Sequence, residues 1–333
     1  MRKLRVRADK TVVAITALMV LLMSAACQSN GSLGQELPTL IVLPTLSPSP
    51  APTAFPTRDI RPLPTAVPTA ASTPAPLIVP TDTPSPAPSP ESTPAATTLP
   101  DRFVFGQSVE GRDLIGYRIG SGERVLMLVG AVHGGFEQHT SDLIEQLADH
   151  YRSTPADVLP QVSLVLIPAL NPDGLARGRV LAGRLNANGV DLNRNWPCGW
   201  SPNAVFRDQP VGAGAEPLDQ PETRALAALI EDLQPGAVLF FHAAAAGVFA
   251  GDCGGDAGSA AMSAVFGAAA SYAYGSDFSD YVVTGTGPAW VNSIGIPSAD
   301  VELTSATDPE FDRNLAGVQA VQCWLAPMSP ACA

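Results

Sequence analysis

The sequence predicts an α/β protein in which a mixed, largely parallel central sheet carries helices on both faces, preceded by a disordered Pro-rich linker. Short, continuously apolar runs alternate along the chain with longer segments whose apolar residues recur at helical spacing. Such alternation is typical of parallel strands joined by helices, and a run that is apolar throughout indicates a strand buried on both faces. Several polar residues directly follow these runs, at the sheet edge where α/β proteins build their sites.

The strand pattern begins with a hairpin or pair of strands between Phe103 and Ile119, which Gly111 and Gly116 interrupt. Further strands are predicted at residues 125–132, 162–170, 237–241 and 299–303. Asn171-Pro172-Asp173-Gly174 follows the second of these runs and is a sequence typical of a turn.

Helices are predicted between the strands. Thr140 or Ser141 is expected to cap a helix that runs through Tyr151, with its apolar residues on one face. Pro221 opens a second helix that also carries an apolar stripe. Two more helices are expected at residues 260–272 and 311–325.

The N-terminus predicts export. Residues 1–27 combine a basic start, an apolar run at 11–23 and small residues before Cys27, as in a lipoprotein-type signal peptide. Cys27 would then be the lipidated residue, and the protein would be anchored to the outer face of the cell membrane. An ordinary secretory signal cut near Ala26 is the alternative, and the protein would then be secreted.

Residues 28–100 form a Pro-, Thr-, Ser- and Ala-rich segment that predicts a disordered linker. Its apolar content is too low to offset the conformational entropy lost on folding, and its proline content favours an extended spacer. Residues 101–333 are long enough for one catalytic domain with a sizeable core.

Charge excludes one class of partner. The chain has a formal net charge of −12 and only 19 basic residues, so it lacks the basic face that nucleic-acid binding requires. The expected partners are a peptide or cell-wall peptide substrate and a lipid anchor to the membrane. The protein is expected to be a monomer.

Four cysteines remain after Cys27, an even number that suggests disulfides in an exported chain. Proximity in sequence favours pairing Cys198 with Cys253 and Cys323 with Cys332. Free buried thiols are the alternative.

The four histidines fall into two groups. His133 and His242 each follow an apolar strand, where a polar ring needs a partner. A zinc ion held with Glu137 would provide one and would leave a fourth coordination position for water, as in catalytic sites. His139 and His150 fall on or beside a predicted helix and are expected to be solvated.

The polar stretch from Asn186 to Trp196 is dense in groups that bind anions. Asn193 and Arg194 offer an amide and a guanidinium side by side, which suits a carboxylate, and Arg184 lies just upstream. A solvated loop is the alternative for this stretch.

In combination these motifs resemble the M14 zinc carboxypeptidases over roughly residues 103–325. The residues that carry the resemblance occur in the family's order: His133 and Glu137, Asn171-Pro172-Asp173-Gly174, Arg184, Gly189-Val190-Asp191-Leu192-Asn193-Arg194-Asn195, His242 and Glu302. The resemblance implies a zinc carboxypeptidase-like fold with one Zn²⁺ in the domain.

The resemblance also implies roles. His133, Glu137 and His242 would hold the metal, and Glu302 would be the general base for the attacking water and then deliver the proton to the leaving amine. Arg184 would stabilise the oxyanion of the tetrahedral intermediate.

Substrate binding is implied for three further residues. Asn193 and Arg194 would bind the terminal carboxylate of the substrate, which defines an exopeptidase. Tyr281 lies where the family places a mobile tyrosine that covers the bound residue, although a plain core role is the alternative.

The sequence therefore predicts an extracytoplasmic zinc-dependent metallocarboxypeptidase that hydrolyses peptide bonds near a free C-terminal carboxylate. Three alternatives stay open: a carboxypeptidase or amidase of cell-wall peptides containing D-residues, a non-catalytic peptide-binding module on the same fold, and an inactive descendant. The last arises because His133 and Glu137 are one residue further apart than in the family's usual motif.

Overall fold

The structure is a computed structural model, and it describes residues 99–275, 278 and 280–332. The predicted signal peptide, Cys27 and nearly all of the predicted linker lie outside the described residues. In the part of the chain that is described, no helix combines the length and the apolarity needed to cross a membrane.

Strands and helices alternate along most of the described chain. The strands are β1 (Arg102–Gln107), β2 (Asp113–Ile119), β3 (Arg124–Val129), β4 (Val162–Ile167), β5 (Val205–Phe206), β6 (Gln209–Pro210), β7 (Ala237–Ala243), β8 (Gly247–Ala250), β9 (Ala273–Tyr274) and β10 (Ser298–Leu303). The helices are α1 (Gln138–Ser153), α2 (Pro172–Arg177), α3 (Leu181–Arg184), α4 (Pro221–Leu233), α5 (Ser259–Ala270), α6 (Gly287–Ser293) and α7 (Phe311–Leu325).

The central sheet has eight strands in the order β1-β2-β4-β3-β7-β10-β8-β9. The four middle strands, β4, β3, β7 and β10, run parallel to one another. Antiparallel pairing joins β1 to β2, β2 to β4 and β8 to β10. The middle of the sheet is therefore parallel, as the continuously apolar runs predict. Both of its flanks contain antiparallel pairs.

Alternate residues of the central strands enter two separate cores. Leu126 and Leu128 of β3 pack with apolar residues of α1, α5 and α7. Met127 and Val129 of the same strand face the other side and pack with residues of α4 and α6. Since successive side chains of a strand point to opposite faces, both faces of the sheet are covered by helices. The predicted fold class is confirmed.

Two local predictions were wrong. Asn171 begins a helix rather than a turn: its side-chain Oδ1 accepts a hydrogen bond from the Gly174 N–H at 2.8 Å, and Pro172 occupies the first turn of α2. Helix α1 begins at Gln138, before Thr140. Thr140 Oγ1 does not cap it but donates to the Glu137 carbonyl and accepts from the Ala131 N–H.

Candidate metal centre and active site

The three candidate metal ligands reach one place from two strand ends. His133 lies four residues beyond β3, Glu137 ends a short 3-10 turn (Gly134–Glu137), and His242 is the penultimate residue of β7. Because β3 and β7 are neighbouring parallel strands, their carboxyl ends meet at one edge of the sheet. The predicted location of the site at this edge therefore follows from the topology.

The turn between His133 and Glu137 needs glycine. Gly134 has φ +45°, and a Cβ there would lie 2.6 Å from the Gly183 carbonyl oxygen. A side chain would therefore force this segment away from α3. The tight turn also absorbs the additional residue between His133 and Glu137.

The candidate ligand atoms of His133, Glu137 and His242 all lie within 4.8 Å of one another. The two imidazole centroids are 4.7 Å apart, and His242 Nδ1 lies 3.2 Å from Glu137 Oε2. All three residues are buried. Two imidazole nitrogens and a carboxylate oxygen form a donor set that suits zinc and leaves a fourth position open, so these residues fit the metal.

The pKa values of the two histidines shift in opposite directions. Burial lowers the pKa of His133, and Arg184 lowers it further. Burial alone would also lower the pKa of His242, but the carboxylates of Asp300 and Glu137 raise it well above its usual value. The neighbouring carboxylates therefore outweigh burial at His242, whereas burial and the charge of Arg184 outweigh the carboxylates at His133.

Asp191 connects the candidate ligands to the rest of the site. Its Oδ2 accepts a 2.8 Å hydrogen bond from Arg184 Nε, and its Oδ1 lies 3.3 Å from His133 Nδ1. Oδ1 also accepts a bond from the Asn193 N–H at 3.0 Å. The charge of Arg184 helps to hold the pKa of this buried carboxyl well below its usual range, against the effect of burial. Sequence reasoning included Asp191 in a motif but gave it no role.

Arg184, at the end of α3, lies beside the candidate ligands. Its Nη1 is 3.5 Å from Glu137 Oε1, and its guanidinium carbon is 3.9 Å from the centre of the Phe206 ring. The side chain is buried but forms part of the pocket wall. A fixed cation at this position could stabilise negative charge that develops next to the metal ligands.

Asn193 and Arg194 lie in a short 3-10 turn (Leu192–Arg194) at the side of the pocket. Asn193 Oδ1 accepts a hydrogen bond from the Gly287 N–H at 2.9 Å, so its amide NH₂ faces the site, 3.4 Å from His242 Nε2. Arg194 donates from Nε to Val205 and from Nη1 to its neighbour's carbonyl. Its Nη2 makes no hydrogen bond within the described part of the chain and is free to donate to a ligand.

Glu302 lies on β10, opposite His242 of β7 in the parallel register. Its Oε2 accepts a hydrogen bond, 3.2 Å long, from the Ala245 N–H. Burial, together with the charges of Glu137 and Asp300, raises the pKa of Glu302 to about 7. A carboxyl group whose pKa lies near neutrality can both accept and release a proton, as a general base requires.

The pocket in front of these groups has a volume of about 670 Å³. Tyr281 lies half-buried in its wall, where its ring contacts Phe206 and Phe278 edge-on at centroid distances of 6.3 and 5.1 Å. The disulfide between Cys198 and Cys253 forms another part of the wall. The second disulfide joins Cys323 to Cys332, so both follow the pairing favoured by sequence proximity.

The structure brings together every residue to which sequence reasoning assigned metal binding, catalysis or substrate binding. It corrects the expectation for His139, which is 1% exposed and whose Nε2 lies 3.1 Å from the Ser305 carbonyl oxygen. His150 is partly exposed beside Asp157. Asp300 was missed, although it lies two residues before Glu302 and strand alternation puts both on one face.

Comparisons with known sequences agree with this site. A model of the zinc carboxypeptidase family, peptidase M14, matches residues 94–250. Murein peptide amidase A of Vibrio campbellii is 31% identical over 211 residues, which cover 60% of this chain and 77% of that protein. Bacteriocin BCN5 of Clostridium perfringens is 30% identical over 229 residues, covering 65% of this chain and 24% of the bacteriocin. Murein peptide amidase A of Escherichia coli is 40% identical over 87 residues, 23% of this chain and 34% of that protein.

Solved structures share the fold. Murein-tripeptide amidase MpaA from Escherichia coli O157 superposes with a TM-score of 0.52 at 24% identity, covering 68% of this chain and 93% of the amidase. Bovine thrombin-activatable fibrinolysis inhibitor superposes with a TM-score of 0.58 at 16% identity, covering 68% and 90% of the two chains. At these identities the likeness shows the fold alone.

A sheet edge carrying two buried histidines, a buried glutamate and a further, partly buried glutamate is typical of the class of metallopeptidases. The chain belongs to the zinc carboxypeptidase family, peptidase M14. The chain spans only 24% and 34% of the bacteriocin and the Escherichia coli amidase, against 77% of the Vibrio amidase. The family model ends at residue 250, so Tyr281, Asp300 and Glu302 lie beyond the matched residues.

Proposed function

We propose that this chain is an extracytoplasmic zinc-dependent metallocarboxypeptidase that hydrolyses peptide bonds near a free C-terminal carboxylate. The observation that carries the proposal is the convergence of His133, Glu137 and His242 within 4.8 Å, with Glu302 alongside in the same pocket. Family membership supports zinc as the metal.

Each group has a distinct task in this proposal. Zinc held by His133, Glu137 and His242 would supply Lewis-acid chemistry, polarising the scissile carbonyl and acidifying the attacking water. Glu302 takes the proton from that water and later gives it to the leaving amine, a double role for which a pKa near neutrality is suited. Arg184 stabilises the negative charge that develops on the carbonyl oxygen.

Recognition of the free carboxylate falls to Asn193 and Arg194. The amide NH₂ of Asn193 and Nη2 of Arg194 are donors on the same side of the pocket, and a carboxylate accepts two such bonds. Tyr281, in the aromatic part of the pocket wall with Phe206 and Phe278, covers the bound residue. We therefore expect the protein to bind peptides with amidated C-termini less tightly, because they lack this carboxylate.

A second candidate function is hydrolysis of cell-wall peptides. The observation that favours it is the 31% identity to the Vibrio campbellii murein peptide amidase over 77% of that protein. Such peptides also carry free carboxylates, so the same donors would serve. The two functions differ in the stereochemistry and connectivity of the bond that is cleaved.

The predicted signal peptide supports a location outside the cytoplasm. Residues 1–27 carry the basic start, apolar run and Cys27 of a lipoprotein-type signal. Metabolic labelling of the expressing bacteria with a palmitate analogue is expected to label the wild-type chain and not the Cys27→Ser variant. Equal labelling of both would rule out lipidation at this residue.

The substrate test uses the purified chain loaded with one equivalent of zinc. Release of C-terminal residues from ordinary peptides, measured by mass spectrometry, supports the carboxypeptidase, whereas selective cleavage of muropeptides supports the amidase. Each peptide is also tested with an amidated C-terminus, which removes the recognised charge. Binding of these peptides without any cleavage by the zinc-loaded chain would show a non-catalytic module and refute both enzymatic functions.

A further inference from the structure

We infer that Asp300 is a positioning residue for His242, holding the side of the imidazole that faces away from the other candidate ligands. The inference rests on the proposed zinc site, and it assigns to Asp300 the control of how tightly that site binds metal. Asp300 lies on strand β10, beyond the residues that the family model matches.

The two nitrogens of His242 face different carboxylates. Nδ1 lies 3.2 Å from Glu137 Oε2, on the side where the candidate ligands converge. Nε2 lies 3.1 Å from Asp300 Oδ1. A histidine that binds metal through one nitrogen carries its proton on the other, and that N–H is commonly held by a carboxylate. Asp300 is therefore in the position to fix both the tautomer and the orientation of the ring.

The sheet determines the position of Asp300. In the parallel register of β10 and β7, Asp300 is opposite Phe240 and Glu302 is opposite His242. Because side chains alternate along a strand, Asp300 and Glu302 project to the same face as His242. A carboxylate built on a central strand is held more rigidly than one on a loop, which suits a positioning role.

Asp300 has little else to bind. Among the described residues, its Oδ1 is buried without an aligned hydrogen bond, and His242 is its one basic neighbour within ion-pair distance. A buried carboxylate oxygen without a partner is costly, and a small rotation of the imidazole would direct its N–H to this oxygen. Asn193, which lies 3.4 Å from the same Nε2, has its carbonyl oxygen bonded to Gly287 and therefore presents a donor. Asp300 is thus the acceptor available to that N–H.

A competing role for Asp300 is direct selection of a cationic substrate, because its carboxylate also lines the pocket. The two roles predict different measurements. A positioning carboxylate changes the affinity of the site for metal in the absence of any substrate. A selecting carboxylate changes only the Michaelis constant for substrates that carry a positive charge.

The experiment measures zinc affinity by competition with a chromogenic chelator in the wild type, Asp300→Asn and Asp300→Glu. Asp300→Asn is expected to weaken zinc binding about 10- to 100-fold, the range seen when such supporting partners are removed. Asp300→Glu keeps the charge and is expected to recover part of that loss. The absorption spectrum of the cobalt-substituted protein is expected to change in Asp300→Asn, because the imidazole is no longer held in one orientation.

Asp252→Asn is the matched control, since Asp252 is an exposed carboxylate in the wall of the same pocket. Its zinc affinity is expected to equal that of the wild type. If Asp300→Asn folds and binds zinc as tightly as the wild type, the inference is overturned, including the case in which only the KM for basic peptides rises. If Asp300→Asn does not fold, Asp300→Ala, which also removes the carboxylate, takes its place, and zinc binding as tight as that of the wild type with an unchanged cobalt spectrum would equally overturn the inference. Absence of zinc binding by the wild type would instead overturn the proposed function together with this inference.

Discussion

Two clusters around aspartates differ in how fully their buried polar atoms are bonded. Asp173, at the start of α2, accepts hydrogen bonds from Ser108 Oγ at 2.7 Å, the Glu110 N–H at 3.0 Å and Arg112 Nη1 at 2.5 Å. At the sheet edge, by contrast, His133 Nδ1 and Asp300 Oδ1 are buried without an aligned hydrogen bond in the described structure. The bonds to Asp173 hold a loop in place, whereas His133 lies among the candidate metal ligands and Asp300 Oδ1 is available to the N–H of His242.

Among the residues at the sheet edge, we expect the largest loss of activity when Glu302 is replaced. Glu302→Gln keeps the size of the side chain and removes the base, so kcat is expected to fall by about 10²- to 10⁴-fold while zinc content stays at the wild-type level. Steady-state kinetics with metal analysis of the same sample check this. Glu231→Gln, an exposed glutamate of α4, provides the control. Wild-type turnover in Glu302→Gln would remove the proposed base.

Asp191 lies at the same sheet edge and bonds both Arg184 and the Asn193 N–H. Asp191→Ala leaves the buried guanidinium of Arg184 without its carboxylate, and unfolding free energy is expected to drop by about 3–5 kcal/mol. Urea titration followed by circular dichroism measures the loss. Asp191→Asn retains an acceptor for the Asn193 N–H and is expected to lose less. A stability equal to wild type in Asp191→Ala would show that the ion pair makes no net contribution.

Asp173, whose carboxylate accepts several hydrogen bonds at the start of α2, is expected to matter for stability and not for catalysis. Asp173→Asn is expected to lower the unfolding free energy by about 1–3 kcal/mol at neutral pH, with kcat per folded molecule unchanged. The hydrogen bonds that Asp173 accepts hold its pKa below the ordinary value of 3.8, against the effect of burial, so its contribution is present above that pH. The contribution is lost as pH falls through the lower pKa of the folded state.

The difference in stability between wild type and Asp173→Asn is therefore expected to be full at pH 7 and to shrink below about pH 4. Denaturant titrations at several pH values provide the measurement. A difference that is constant across this range, or that grows on acidification, would contradict the assigned role of the charge.

The smallest expected effect concerns the aromatic partner of Arg184. Phe206→Leu removes the ring 3.9 Å from the guanidinium while keeping an apolar side chain. The loss is expected to be about 1 kcal/mol, which lowers kcat/KM roughly fivefold. Phe105→Leu, on β1 and away from the pocket, serves as the control in the same assay. A larger loss in the control than in Phe206→Leu would show that the effect is general destabilisation.

Much of the fold follows from the sequence because the central strands are apolar throughout. The runs that became β3, β4 and β7 can only be buried on both faces, and helices must cover those faces. His133 and His242 were placed at one edge for the same reason, since both follow such runs.

Other features depend on contacts that local patterns do not reveal. Asp300 approaches His242 only through the register between β7 and β10, which pairing decides. His139 is buried by a segment near Ser305 that is far away in sequence. Asn171 and Pro172 favour turns and helix starts equally, and the packing of α2 against the Gly134 turn selects the helix.

The most direct test of the account is a crystal structure of the zinc-loaded protein with diffraction data collected on both sides of the zinc absorption edge. One anomalous peak is expected, bonded to His133, Glu137 and His242, with Glu302 near it. A peak elsewhere, or none between these three side chains in crystals that contain zinc, would contradict it.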